Sequence, residues 1–241
     1  MGISILTPAI VGLMLVAGVC YKMSEEILRE QIATDMNALL ECQSIGLDAV
    51  FSGIEQGLQT MTENQRIKDQ VEAYSRNKSD AFEGALFTRA DQALDSFVTN
   101  NDMVSSAAII AMDGTVLGYR VDKQQGKNKF VGANFSDREY FAKSKNGQPS
   151  VVGMVDATGE VYTVLAMPLK LDGKNMAVLA AAIDNKILGK NTTDKIKIGQ
   201  KGMVYAYDLQ GRMVLNPDGA VLGRNDSKVS HVAALLQQKE G

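Results

Sequence analysis

The stretch VYTVLAMPLKLDGKNMAVLAAAID, residues 161–184, decides the fold. It holds two apolar runs, Val161–Met167 and Met176–Ile183, parted by Leu171-Asp172-Gly173-Lys174. Each run is about the length of an ordinary strand, and Asp-Gly between two such runs is a tight-turn signal. The pair reads as an antiparallel hairpin, apolar enough to lie inside a sheet. Working outward, Ser105–Met112 and Thr115–Val121 form a second hairpin about Asp113-Gly114, and Val151-Val152 opens another strand. Ser136–Ser144 reads as a short helix, and the polar run 122–129 as a loop. Short strands with tight turns, preceded by helix, predict an α+β fold: an antiparallel sheet with helices packed on it.

Upstream of the sheet the pattern is helical. From Ser24 to Tyr74 there is no proline, and Met36, Leu40, Gln43, Leu47, Val50, Ile54, Leu58 and Met61 follow one another at steps of three and four. This predicts one long amphipathic stalk helix, roughly 75 Å at 1.5 Å per residue, with Gly46, Gly53 and Gly57 as weak points. Two ordinary helices on a core are the alternative. Phe82, Leu86, Ala90, Ala93 and Phe97 set a second stripe, ended by Asn100-Asn101-Asp102.

The first residues carry the strongest local signal. Ile3–Cys20, ISILTPAIVGLMLVAGVC, has no charged side chain. That is close to the minimum for a membrane span and is read as an uncleaved N-terminal transmembrane anchor. A cleaved or lipidated signal, with Cys20 in a loosely lipobox-like setting, and a buried helix are the competing readings.

Composition narrows the function. Lys plus Arg number 25 against 28 Asp plus Glu, with no strongly basic run, so nothing suggests nucleic-acid binding. Two cysteines, Cys20 and Cys42, exclude a disulfide framework, and a single histidine, His231, excludes a multi-histidine metal site. No nucleophile elbow, phosphate loop, HExxH or CxxC motif is present. The expectation is a protein that is not an enzyme and needs no cofactor or metal.

One cluster points to binding: Phe135-Ser136-Asp137-Arg138-Glu139-Tyr140-Phe141. A guanidinium followed by two aromatics can offer a planar fork to a carboxylate and ring faces beside it. The alternative is surface contacts for Asp137 and Arg138, with Tyr140 and Phe141 in the core. A partial repeat adds a second clue. AIIAMDGTVL (108–117) and VYAYDLQGRMVL (204–215) each read as strand, acidic turn with glycine, strand. The second is followed only by a turn, Asn216-Pro217-Asp218-Gly219, and a helix near Val229–Gln238.

These pieces together resemble the double Cache (PAS-like) extracellular sensor region of bacterial methyl-accepting chemotaxis receptors, also found on histidine kinases and cyclic-dinucleotide enzymes. The resemblance lies in IIAMDGTVLG (109–118), GANFSDREYFAKSKNGQPSV (132–151), the 161–184 hairpin and KIGQKGMVYAYDLQGRMVLNPDGAVLGRN (197–225). It implies a transmembrane anchor at 1–22, a helical stalk at 23–100, a membrane-distal module at 101–196 and the start of a membrane-proximal module at 197–241. It also implies a homodimer in the inner membrane, residues after about 23 outside the cytoplasm, and signalling domains elsewhere. Ligand sensing for chemotaxis is the leading function. A sensor for a histidine kinase or diguanylate cyclase and a non-binding dimerisation module are the rivals. In the resembled family Arg138 takes a ligand carboxylate with Tyr140 and Phe141 beside it, and Asp156 falls where an acid can occur. The acid that usually anchors an ammonium falls near Ala180, and Asp184 lies too late to replace it. The implied ligand is an organic acid or an amino acid, with a small carboxylate lacking an amine favoured.

Overall fold

The computed structural model describes residues 3–121, 130–156, 159–196, 198, 202–208, 210–217 and 221–237, with the side chains of residues 3–16 outside the description. The expected loop at 122–129 and part of the turn at 216–219 therefore lie outside the described residues. The chain divides into two units, Met1–Asp48 and Ala49–Gly241.

The described residues of the first unit, 3–48, are helical and belong to α1 (Ile3–Glu63). Its described face carries exposed Ile27, Leu28, Ile32, Met36 and Leu40, and Glu25 pairs with Arg29 one turn later. Cys20 and Cys42 are free thiols. The expected transmembrane anchor is not upheld: among the described residues no helix is long and apolar enough to cross a membrane. The apolar run has no cap or break at its end. It continues directly into helix bearing Lys22, Glu25, Glu26, Arg29 and Glu30, so it is the opening of a longer charged helix rather than a separate element. The transmembrane assignment, the membrane as a partner through residues 3–20 and the inner-membrane location are corrected accordingly.

In the second unit α1 ends at Glu63 because Asn64 turns the chain. Asn64 adopts extended backbone and its side chain accepts from the Arg66 N–H, capping α2 (Gln65–Arg76). The stalk helix expected over 24–74 is thus broken at an asparagine, not at its glycines. Gly57 is instead a packing device: a Cβ there would lie 2.8 Å from Phe97 Cε2. A short 3-10 turn (Lys78–Ala81) leads to α3 (Gly84–Thr99), the second helical stripe.

Five antiparallel strands follow: β1 (Val104–Ala111), β2 (Val116–Val121), β3 (Ser150–Val155), β4 (Val161–Leu171) and β5 (Lys174–Asp184), in the order β2-β1-β5-β4-β3. α4 (Glu139–Ser144) sits between β2 and β3, shorter than the helix expected from Ser136. Pro168 is tolerated inside the long β4 because pairing with β3 stops at Ala166, so no ladder donor is needed there on that side.

Strand alternation gives the sheet two unlike faces. One presents Ile109, Leu117, Leu179 and Ile183, all at most 1% exposed, to α2 and α3. Burying each such side chain contributes roughly 1.5–3 kcal/mol. Gly118 lets α3 approach, since a Cβ there would be 2.9 Å from Leu94 Cδ1. Buried Gln70 on α2 donates through Nε2 to the carbonyls of Ala81 and Leu117, fixing helix to sheet. The opposite face carries Ala108, Ile110, Val152, Val164, Ala166, Val178 and Ala180, packed with Tyr140 and Phe141 of α4.

After β5, Asp184 caps α5 (Asn185–Asn191) by accepting from the Lys186 N–H. A two-stranded hairpin, β6 (Ala206–Tyr207) and β7 (Met213–Leu215), and α6 (Ser230–Gln237) complete the described chain. This last segment repeats the β1–β2 turn bond for bond. The Phe135 N–H donates to the Gly114 carbonyl, and the Asp226 N–H to that of Gly211. Asn134 and Asn225 each accept from the N–H two residues on and donate to the carbonyl before the turn glycine. Gly114 (φ +87°) and Gly211 (φ +75°) occupy equivalent left-handed positions, each with a serine where a Cβ would fall. The hydrogen-bond pattern equates Arg138 with Val229, Tyr140 with His231 and Phe141 with Val232.

Candidate functional site

The site grows from the tip of the β1–β2 hairpin. The Asn134 and Gly114 bonds fold residues 134–138 back across the turn, and the Ala142 N–H donates to the Arg138 carbonyl at 3.0 Å to start α4. Arg138 is therefore the residue before the helix, held by backbone bonds on both sides. Its guanidinium lies 5.5 Å over the Phe135 ring, and its side chain remains 44% exposed. Among the described residues its one ionic partner is Asp137, with Nε 3.7 Å from Oδ1, too long for a hydrogen bond. A fork that is stacked yet not spent is suited to an incoming carboxylate.

Tyr140 and Phe141 are both buried, at 6% and 1% exposure, in the core of the α4-facing sheet surface. Phe141 is consequently a packing side chain, while Tyr140 keeps a phenol within electrostatic reach of Arg138. Burial pushes the Tyr140 pKa up, so that phenol stays protonated. Asp156 follows β3. Its Oδ1 accepts from the Glu160 N–H at 3.0 Å and its own N–H donates to the Glu160 carbonyl, closing the β3–β4 turn. It is partly buried and senses Tyr119 electrostatically. The structure thus sets Tyr140 and Phe141 together in the core of one sheet face, with Arg138 over Phe135 and Asp156 at the end of β3.

Pairing across the sheet adds residues that the linear sequence did not single out. Register aligns Ala108 with Ala180 and Ala180 with Ala166, and next to them Ser106 with Ala182 and Ala182 with Val164. The middle of this face is built from the smallest side chains, and its margin carries Tyr119, Phe135, Met154 and Tyr162. Tyr140 and Phe141 of α4 pack over these small side chains, so Ala108, Ala166 and Ala180 are at most 5% exposed. Tyr119 touches Phe135 edge-on at 6.3 Å and Phe130 at 4.9 Å, and donates its hydroxyl to Ser106 Oγ at 3.2 Å. Tyr162 donates to Glu160 Oε2, whose other oxygen accepts from Lys186 at 3.0 Å. That lysine contact holds the Glu160 carboxyl below its ordinary range. The signal for Ser106, Ala108 and Tyr119 was their two-residue alternation, which gains meaning only once β1 is paired on both sides. Ala180 lies on the floor, 4% exposed, and Asp184 is spent as the α5 cap. Among the described residues no group of three or more His, Cys, Asp or Glu is placed to hold a metal ion.

A five-stranded antiparallel sheet, helices on one face and a short helix preceded by Arg138 over the other define a PAS-like sensor module. A Cache domain model matches residues 24–241, nearly the whole chain, and the protein belongs to that family. It is a sensor module of the Cache type. No curated protein matches the sequence. Solved structures share the fold. The extracellular domain of a histidine kinase, vpHK1S-Z8, is 14% identical at TM-score 0.64, covering 88% of this chain and 81% of that one. A sensory box/GGDEF family protein domain from Vibrio parahaemolyticus is 15% identical at TM-score 0.63, covering 88% and 86%. The ligand-binding domain of Mlp24 with asparagine is 16% identical at TM-score 0.53, covering 88% and 82%. The fold is thus shared across sensors of several systems, and the narrower expectation of a chemotaxis receptor is not singled out.

Proposed function

We propose that this chain senses a small carboxylate outside the cytoplasm, with Arg138 as the carboxylate anchor. The observation that carries this reading is the placement of the Arg138 guanidinium. It is stacked on Phe135, has no hydrogen-bonded carboxylate among the described residues, and borders a face floored with alanines. Tyr140 and Asp156 are the neighbouring polar groups on its margin. An amino acid fits less well, because Ala180 leaves no acid on the floor for an ammonium, and an unpaired buried ammonium is costly. Likeness in fold to domains of a histidine kinase and a GGDEF protein favours an output of that type over chemotaxis.

Residues 197–241 are, on this reading, the start of a second Cache module. The repeated turn supports it, and Val229 in place of Arg138 leaves that copy without the anchor. Calorimetric titration of the full chain with acetate, propionate and methylamine tests the assignment. Propionate binding that disappears in Arg138→Ala and weakens at least tenfold in Arg138→Lys is expected. Equal binding by wild type and Arg138→Ala would reject it.

A further inference from the structure

We propose that Asp137 is the specificity-determining residue of the Arg138 anchor: its carboxylate acts on the same guanidinium, so the site admits a monocarboxylate and discriminates against a dicarboxylate. This rests on the reading that Arg138 takes the ligand carboxylate.

Asp137 directly precedes Arg138, and its Oδ1 lies 3.7 Å from Arg138 Nε. At that distance it takes no hydrogen bond from the guanidinium, yet its charge still acts on it. Arg138 is its one ionic partner among the described residues. The next acid, Glu139, is paired with Lys143 at 2.8 Å one turn on, so its charge is balanced away from the fork. Asp137 is therefore the fixed carboxylate that an incoming anion meets beside Arg138.

The turn that carries this aspartate does not require it. In the repeated segment, closed by the same backbone bonds, Lys228 and Val229 hold the places of Asp137 and Arg138. The acid occurs in the copy that has the anchor and is replaced by a cation in the copy that lacks it.

Both charges also reach the neighbouring phenol. Burial raises the Tyr140 pKa, Arg138 opposes that rise, and Asp137 adds to it. The side chains of Asp137 and Arg138 are 78% and 44% exposed, so the influence of Asp137 is screened and modest.

Charge sets the direction of the effect. The Asp137 carboxylate stands on the Nε side of the guanidinium and leaves the Nη nitrogens to the ligand. Two like charges about 6 Å apart in water repel enough to weaken binding about threefold. A dicarboxylate brings a second charge and is repelled twice.

Calorimetric titration of the full chain with propionate and with malonate tests this, using wild type, Asp137→Asn, Asp137→Glu and Arg138→Ala. Wild type should prefer propionate. Asp137→Asn should bind propionate about threefold and malonate about tenfold more tightly, which raises the malonate-to-propionate ratio. Asp137→Glu, which keeps the charge, should keep the wild-type ratio. The gain in Asp137→Asn should largely vanish in about 1 M NaCl, where the screening length falls to about 3 Å. A residue that only shapes the turn would alter both acids alike at either salt. A ratio unchanged in Asp137→Asn, or a gain undiminished at high salt, overturns the role of Asp137 and leaves the Arg138 anchor standing. Wild-type binding of both acids by Arg138→Ala, with the ratio still raised in Asp137→Asn, overturns the anchor alone. No binding of either acid by wild type or Asp137→Asn overturns both.

Discussion

Asn185 Nδ2 donates to the carbonyl of Val214 at 2.9 Å, and its Oδ1 accepts from Thr163 Oγ at 3.0 Å. This buried amide, 1% exposed, joins β4 to β7 and so ties the sheet to the repeated hairpin. Nearby, Arg212 donates to the Gly153 carbonyl at 3.0 Å while held by Asp208, and Gly223 lies against Val155 and Val161. The hairpin thus grips β3 and β4 on one sheet face, while Met154 and Tyr162 of the same strands pack on the opposite, α4-covered face.

Replacing Asn185 tests that joint. Asn185→Ala strands a buried hydroxyl and a buried carbonyl, each costing about 1–3 kcal/mol when left without a partner. Denaturant unfolding of Asn185→Ala should show a loss of about 2–4 kcal/mol. Asn185→Asp should cost at least as much, because it swaps the donor for a buried charge. A loss below about 0.5 kcal/mol in either variant would show that the amide is not a structural link.

Asp113 makes the hairpin tip pH-sensitive. It accepts from Tyr74 at 2.9 Å, from Lys78 at 2.8 Å and from the Thr115 N–H at 3.1 Å. Burial works to raise its pKa, but the bonds from Lys78, Thr115 and Tyr74 outweigh it and hold the carboxyl well below the usual carboxylate range. A carboxyl lowered in the folded state stabilises above its unfolded pKa of about 3.9, and that contribution is lost as pH falls toward the folded value. Asp113→Asn should be about 1 kcal/mol less stable than wild type from pH 5 to 8, the charge being partly screened by solvent. The gap should close progressively below about pH 4. Thermal melts of both proteins across that range check the sign, and a gap that widens on acidification would contradict it.

Gly114 is the residue on which placement of Arg138 depends. Its φ is +87°, and a Cβ would lie 2.6 Å from Ser136 Cβ and 2.7 Å from the Ser136 nitrogen. Gly114→Ala therefore meets both backbone strain and a clash with main chain that cannot swing aside. A stability loss of about 2–3 kcal/mol is expected, together with weakened propionate binding, since the segment carrying Arg138 is displaced. Gly132→Ala is the control. It also has positive φ, +87°, but nothing lies within 4 Å, so it should lose about 1 kcal/mol through strain alone.

Ala180→Asp tests the absence of an ammonium anchor. The position is 4% exposed and pairs with Ala108 and Ala166 on the floor. An acid buried there without a partner should lower the melting temperature by several degrees. L-Alanine or another small amino acid should restore part of that loss in the variant and add little to the wild type. Restoration by propionate but not by amino acids would contradict the placement of Ala180 beside the ligand.

Much of the fold was written in local sequence. Strands β1, β2, β4 and β5, the Asp113-Gly114 and Asp172-Gly173 turns, and the stripe of α3 follow from alternation, helical spacing and turn chemistry acting over a few residues. The Arg138 cluster was legible for the same reason, being one contiguous turn-and-helix segment. Two readings depended on more than local signal. The apolar run at 3–20 looked like a free-standing span, but the same helix carries on through charged residues, and run length alone does not reveal that continuity. The stalk was expected to weaken at glycines and instead ended at Asn64, whose side chain found the Arg66 N–H.

By itself the sequence determined the α+β class, the repeat of the hairpin turn and the position of Arg138, because each rests on neighbours within a few residues. Only the tertiary structure decided which side chains share that sheet face. Ser106, Ala166, Ala180 and Tyr119 lie far apart along the chain and meet through the register of β1, β5, β4 and β2. That register is set by long-range burial of Ile109, Leu179 and Ile183 on the opposite face, since a one-residue slip would turn those side chains out of the core.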